Sequence, residues 1–373
     1  MEAYLDNAAT TRPCEEARQT VIRLMDTCWG NPSSGHRWGV QAAEALKLAR
    51  KQTAQALGAP ENRVFFTSGG TEADNWAVFS AMKRMSKRGR HVITTAVEHH
   101  AVLNPMAELE KQGFEVTYLP PDGDGRVSLE AFTAALRPDT VFASVMMVNN
   151  ETGAVMPIQK MAAALHRQNP DALFHTDAVQ GLGKVLFRAS SLGADLISVS
   201  AHKVHGLKGA GALYVRQGLE LPPLLYGGGQ ERGKRSGTEP LPAIAAFGAA
   251  CAALDPARDI ARMAALRDEL AGRIRAELPR IRLIGAMEAP HILTLSLPGA
   301  RSQGLLNVLQ EQGVYVSAGS ACSRGHRSHV LEAMGLDAKL IDGAVRVSLC
   351  RNTTTDETQL LLAALGRAVE RLG

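Results

Sequence analysis

Val64–Asn75 reads VFFTSGGTEADN: an apolar run of strand character, then Ser-Gly-Gly-Thr, then a stretch of helical character. A strand that turns through glycines into a helix leaves unpaired backbone N–H groups at the helix N-terminus, where an anion binds well. Gly69 and Gly70 let a ligand approach the backbone closely, and the Thr71 hydroxyl adds a donor. An ordinary N-capped helix after a tight turn has the same pattern. A second feature has to decide between them.

Working outward, further strand candidates are Val92–Thr95, Glu115–Tyr118, Val141–Val148, Leu173–Thr176, Asp195–Ser200 and Ala212–Val215. Between them run helical stripes such as Ile158, Met161, Ala162 and Leu165, spaced i, i+3, i+4, i+7. This alternation predicts a mainly parallel seven-stranded sheet covered by helices, one layered α/β domain over residues 15–255. Leu241–Leu254 is too short and too broken by Pro and Gly for a membrane span and reads as a buried helix. After Asp255-Pro256 the pattern changes to an amphipathic helix over 261–278, strands near His291–Leu297, Val314–Ser317 and Ala344–Leu349, and a last helix after Thr355. A smaller α+β domain is expected there.

The chain has 373 residues and a formal charge of +4, too small a balance to imply a nucleic-acid or membrane partner. The basic run Lys83, Arg84, Lys87, Arg88, Arg90 reads as a solvated helix face in preference to an RNA site. Five scattered cysteines without a C-x-x-C pair argue against a disulfide framework or a zinc ribbon and fit a reducing cytoplasm. The start, MEAYLDNAATTR, carries no secretory signal pattern.

Gly228–Lys234 (GGQERGK) imitates a P-loop, but Arg235 stands where a magnesium-binding hydroxyl belongs and Pro222-Pro223 interrupts any preceding strand. No G-x-G-x-x-G opens a helix after the first strand, which weakens a nicotinamide reading. The second feature is Ser200-Ala201-His202-Lys203, directly after the strand candidate DLISVS. A lysine at the carboxyl edge of a sheet, shielded from water, can lose its proton and form a Schiff base. Asp177 closes another strand on the same edge, where a carboxylate suits a pyridinium nitrogen. A solvated surface lysine is the plain alternative.

These residues resemble the cysteine desulfurases of the class V aminotransferase group, in the subgroup of nitrogen-fixation and iron-sulfur-cluster assembly enzymes. The likeness runs from YLDNAATT (4–11) through GNPSSGH (30–36), FTSGGTEADN (66–75), EHHAVL (98–103), VNNETG (148–153), HTDAVQ (175–180), SAHK (200–203) and GGGQERGKRSGT (227–238) to SAGSAC (317–322). The resemblance implies a pyridoxal-phosphate fold-type-I homodimer with L-cysteine as substrate. Its small domain is expected to combine residues 1–14 with 256–373 and to carry the catalytic cysteine loop. Lys203 would be the Schiff-base lysine and move the substrate α-proton. Asp177 would hold the pyridinium N–H, Gln180 the ring oxygen, and His99 would stack on the ring and act as acid and base. Gly70, Thr71, Ser200 and His202 would surround the phosphate, with Thr238 entering from the other subunit. Asn150 would lie near the ring oxygen and the substrate carboxylate, which Arg346 would clamp.

Cys322, in a small, polar, glycine-containing stretch, is the expected nucleophile, with Arg324, His326 and Arg327 favouring its thiolate. The implied reaction releases alanine and leaves a persulfide on Cys322 for an acceptor protein, in iron-sulfur cluster assembly, tRNA thiolation or another thio-cofactor route. Cys322, His326 and His329 also spell C-x3-H-x2-H, but the spacing matches no common zinc pattern and a fourth ligand is missing. The other four cysteines read as packing residues. The loop after Cys322 is shorter than in the iron-sulfur assembly enzymes, and the chain ends at Gly373 without their C-terminal extension, so the acceptor stays open. The rival readings are a selenocysteine lyase or other class V enzyme, which needs no Cys322, and a nucleotide-binding protein without catalysis.

Overall fold

The central strands Leu173–Asp177 and Leu196–Ser200 are buried at every position, and their polar residues, such as His175, Asp177, Ser198 and Ser200, lie toward their carboxyl ends. The computed structural model describes residues 2–318 and 327–373. Among the described residues the strands are β1 (Ala3–Tyr4), β2 (Val64–Thr67), β3 (His91–Thr95), β4 (Glu115–Leu119), β5 (Thr140–Ser144), β6 (Leu173–Asp177), β7 (Leu196–Ser200), β8 (Gly211–Val215), β9 (Arg282–Ile284), β10 (Ile292–Ser296), β11 (Val314–Tyr315) and β12 (Ala344–Ser348). Strands β2 to β8 form a seven-stranded sheet in the order β2-β8-β7-β6-β5-β3-β4. Only β8 runs antiparallel to its neighbours, so the expected mainly parallel α/β architecture is present.

Successive side chains of a strand point to opposite faces, and the core divides accordingly. Phe65, Val92, Phe142 and Leu213 join one cluster with Trp76 and Met82 of the helix Gly70–Met85. Their neighbours Phe66, Ile93, Ala143 and Tyr214 join the opposite cluster with Met161 and Leu165 of the helix Ile158–Gln168. Trp76 is fully buried and meets Phe65 edge-on at 5.6 Å, a burial that contributes about 3 kcal/mol. A third cluster unites Ala3 and Leu5 with Leu293, Leu295, Val345 and Leu361. There β12, β10 and β9 form an antiparallel sheet, and β1 pairs in parallel with β11.

Three local expectations need correction. The strand expected over Val141–Val148 ends at Ser144, because the Met146 N–H turns to the Glu98 carboxylate at 2.8 Å and leaves β3 without a partner. On the other side the backbone still bonds β6, through Val145 N–H to His175 and Met147 N–H to Asp177. Asp255-Pro256 starts a helix where a break was expected, since Pro suits the first helical position and the Asp255 side chain accepts from Arg258 N–H. The helix accordingly spans Pro256–Glu277. Strands β1 and β9 were not anticipated, being too short to display a period of two. Among the described residues no helix is long and apolar enough to cross a membrane.

Candidate active site

Because β8 opposes both of its neighbours, β2 and β7 run the same way, and their carboxyl ends share an edge with those of β3, β5 and β6. Ligands bind at that edge in open α/β sheets. Thr67 pairs with Gly211, which pairs on its other side with Ser200. A side chain at Gly211 would meet the Gly69 backbone at 2.7 Å, so a glycine there is what lets the Ser68–Thr71 turn lie across the sheet edge. The turn opens the 16-residue helix Gly70–Met85, with its unpaired N–H groups at the cavity. Beside it the Ser200 hydroxyl is buried without a hydrogen-bond partner among the described residues.

A cavity of about 270 Å³ occupies this edge, lined by Gly70, Thr71, Asp177, Ser200, His202 and Lys203, with His99, Asn150, Gln180 and Arg346 also in its wall. The structure thus brings together residues from six separated stretches of the sequence. Asp177 ends β6, and its Oδ1 accepts from Val179 N–H at 2.8 Å. Burial pushes its carboxyl up to about 6, opposed by that hydrogen bond and by the Lys203 charge. Asp74 lies beside it, and burial together with the Asp177 charge holds it well above the usual carboxylate range. The Lys203 Nζ donates to the carbonyls of Ala8 and Ala9 at 2.6 and 2.7 Å, so the first residues of the chain complete the site.

His99 caps the helix His100–Lys111: its Nδ1 accepts from Ala101 N–H at 3.1 Å, which leaves the ring proton on Nε2. Burial, and then the Lys203 charge, pull it down to about 4, so it is neutral at pH 7. Arg346 is 2% exposed; its Nη1 donates to the Asn150 carbonyl and its Nη2 to Asp6, while its Nε has no partner among the described residues. Asp6, Ala8, Ala9 and Asp74 were not singled out from the sequence, although each lies inside a motif, YLDNAATT or FTSGGTEADN, that carries the resemblance.

One expected site residue is not gathered at the cavity, and another falls outside the described residues. Thr238 is exposed and lines no part of it within this chain. Cys322 lies outside the described residues, as do Arg324 and His326 of its motif. Its segment starts from Ser317, whose backbone pairs both ways with Arg346. On the far side Arg327 forms a two-pronged ion pair with Asp342, and Ser328 donates to the buried Glu151 carboxylate at 2.5 Å. His329 Nε2 is engaged by the Glu98 carbonyl at 3.0 Å, and among the described residues no metal-binding cluster occurs. Cys14, Cys28 and Cys251 are buried, and burial pushes the Cys251 thiol up to about 12, which makes it unreactive.

The P-loop imitation is a structural loop. Glu231 takes a two-pronged bond from Arg50 and the Phe66 N–H, Lys234 pairs with Glu220, and Arg235 pairs with Glu72. The basic run is similarly occupied: Arg84 donates to the Glu220 carbonyl, Arg88 pairs with Asp171 and Arg90 donates to the Gln112 carbonyl.

Burial has a pH consequence. His99, His202 and His205 are pushed down to about 4 and His175 to about 3, with burial the leading cause in each, and His291 falls in the same direction. Between their ordinary value of 6.5 and about 4, the unfolded chain takes up protons that the folded protein refuses, so stability falls as pH falls. Asp177, Glu98 (about 8) and Asp74 act oppositely but are fewer. Thermal unfolding followed by circular dichroism is expected to show a lower midpoint at pH 5 than at pH 7; an equal or higher midpoint at pH 5 contradicts it.

The fold and this cavity define a class that comparison with known proteins makes explicit: a family model, aminotransferase class-V, matches residues 3–361. A protein named cysteine desulfurase IscS from Methanosarcina thermophila is 40% identical over 375 residues, 99% of this chain and 92% of that one. Another of the same name from Dictyoglomus turgidum is 40% identical over 377 residues, 100% and 95% of the two chains. A solved NifS-like protein superposes with a TM-score of 0.92 at 37% identity, covering 100% of this chain and 99% of its own. A solved structure of SspA in complex with cysteine reaches 0.81 at 32% identity, covering 94% and 100%. The chain belongs to the cysteine desulfurases of the class-V aminotransferase family.

Proposed function

We propose that this protein is a pyridoxal-phosphate-dependent L-cysteine desulfurase that converts L-cysteine to L-alanine and holds the released sulfur as a persulfide on Cys322 for an acceptor protein. The observation that carries the reading is a lysine and a buried carboxylate on one sheet edge, both facing a cavity with an anion cradle at its end. The residues fit the cofactor. The buried, unpartnered Ser200 hydroxyl and the helix N-terminus at Gly70 suit a phosphate. A Cβ at Gly70 would strike the Val179 side chain at 2.7 Å, so the cradle needs a glycine there. Asp177 suits a pyridinium N–H.

Bound pyridoxal phosphate supplies an electron sink that weakens the bonds around the substrate α-carbon. The protein supplies the rest. Lys203, held by the Ala8 and Ala9 carbonyls, provides the amine that anchors the cofactor and moves the α-proton. Asp177 would hold the ring N–H, and neutral His99, in the cavity wall with its proton on Nε2, would serve as a proton donor. The remaining N–H groups of Arg346, fixed by Asp6 and Asn150, suit the substrate carboxylate. The Cys322 thiolate takes the substrate sulfur: one S–S bond forms, the substrate Cβ–S bond breaks, and the β-carbon gains a proton to give alanine.

The homodimer, with Thr238 reaching the partner's phosphate site, belongs to the same proposal. It is supported by the exposed Met25 and Trp29, the latter stacked on Trp38 at 5.2 Å. So do the division into residues 15–255 and residues 1–14 with 256–373, a cytoplasmic location, and acceptors in iron-sulfur assembly or tRNA thiolation. The purified protein is expected to be yellow with added pyridoxal phosphate and, given L-cysteine and dithiothreitol, to yield alanine and sulfide in equal amounts. A protein that stays colourless, or one that acts on selenocysteine and leaves cysteine untouched, refutes the assignment.

A further inference from the structure

The Gln180 side-chain amide sits between a carbonyl, which only accepts hydrogen bonds, and an amine, which donates one to it. Its Nε2 donates to the Ala8 carbonyl at 2.9 Å. Its Oε1 accepts from Lys184 Nζ at 3.4 Å and lies 3.0 Å from His291 Nε2. Turned over, the amide would set its oxygen against the Ala8 carbonyl, losing that contact, and its N–H against an amine that in its charged form has no acceptor. Gln180, Lys184 and His291 are all buried, so water offers no replacement partner. Ala8 uses one of the two Nε2 hydrogens, and because Gln180 lines the cavity the second serves whatever binds there.

We propose that Lys184 and His291 are positioning residues that hold the Gln180 amide nitrogen toward the cavity, where it donates to the ring oxygen of bound pyridoxal phosphate. The inference rests on the functional reading above. Burial pulls Lys184 down to about 7, with the Lys203 charge adding to the effect, but Nζ carries N–H donors in either charge state. Keeping an amine buried at this position is costly, and a methionine of similar length would fill the space more cheaply. Orientation of Gln180 is what the amine adds. The same Ala8 carbonyl also accepts from Lys203 at 2.6 Å, so Gln180 remains its donor when the Lys203 amine is engaged by the cofactor.

The test strips the purified protein of cofactor and titrates pyridoxal phosphate into the parent, Lys184→Met, Gln180→Leu and the double variant, reading the dissociation constant and the visible band. Lys184→Met is expected to weaken binding about 3- to 10-fold, the worth of one hydrogen bond, and to move the band as Gln180→Leu does. The double variant is expected to bind no more weakly than Gln180→Leu alone, since Lys184 acts through that amide. Lys184→Gln, which keeps an N–H donor, is expected to restore the band, and His291→Leu to move it in the same direction as Lys184→Met. A Lys184→Met protein with parental affinity and band, or losses that add in the double variant, overturns the proposal alone. A parent protein that takes up no pyridoxal phosphate overturns the functional reading, and this proposal with it.

Discussion

Cys322→Ser is expected to cut sulfide release from L-cysteine by at least about 10²-fold while the visible band of the bound cofactor stays as in the parent. A serine hydroxyl remains protonated at neutral pH and cannot form a persulfide, whereas none of the described residues that line the cavity is altered by the substitution. On the N-terminal side of the Cys322 segment Ser317 pairs with the backbone of Arg346, itself in the cavity wall. On its C-terminal side Arg327 is tied to Asp342. The described residues flanking it are thus fixed to the fold, on one side at Arg346 in the cavity wall, which suits a thiol that must meet a sulfur bound in the cavity and then present it elsewhere. Alanine and sulfide assays on the variant decide the matter; release at the parental rate would remove Cys322 from the reaction.

Lys203→Ala is expected to lower alanine formation by about 10³-fold or more, the scale of a lost proton-transfer group, and to alter the visible spectrum as well. The two readouts separate this residue from Cys322, whose loss leaves the spectrum alone. The truncation frees the Ala8 and Ala9 carbonyls from Nζ, although Gln180 still donates to Ala8. Unfolding is therefore not the anticipated cause of the loss, and a thermal melt of the variant checks this directly. A variant retaining parental turnover would be inconsistent with a Schiff-base role for Lys203.

The two substitutions test residues that were legible in the sequence for different reasons. Lys203 follows a fully buried strand whose Leu196, Ile197 and Val199 carry the β signal, and such strands can be read because both faces of the sheet are covered. Cys322 stood out because its neighbours are small and polar. Less was legible where a long-range partner replaces a local rule. Ser144 ends β5 because Glu98, 48 residues from Met146, takes the next N–H. Asp6 meets Arg346 across 340 residues, and His291 meets Gln180 across 111. No local pattern encodes such pairs.

Residue type and spacing were enough to name the available groups: a lysine and an aspartate on one sheet edge, glycines at a helix start, one cysteine among small polar neighbours. These are local properties, decided by strand and helix periodicity within a dozen residues. Their charge states and partners are not local. Neutral His99, a carboxyl at Asp177 raised to about 6, and a Gln180 amide with one permitted orientation arise from burial and from charges on distant segments. Desolvation and hydrogen bonding depend on everything that packs around a group, so the folded chain alone decides them.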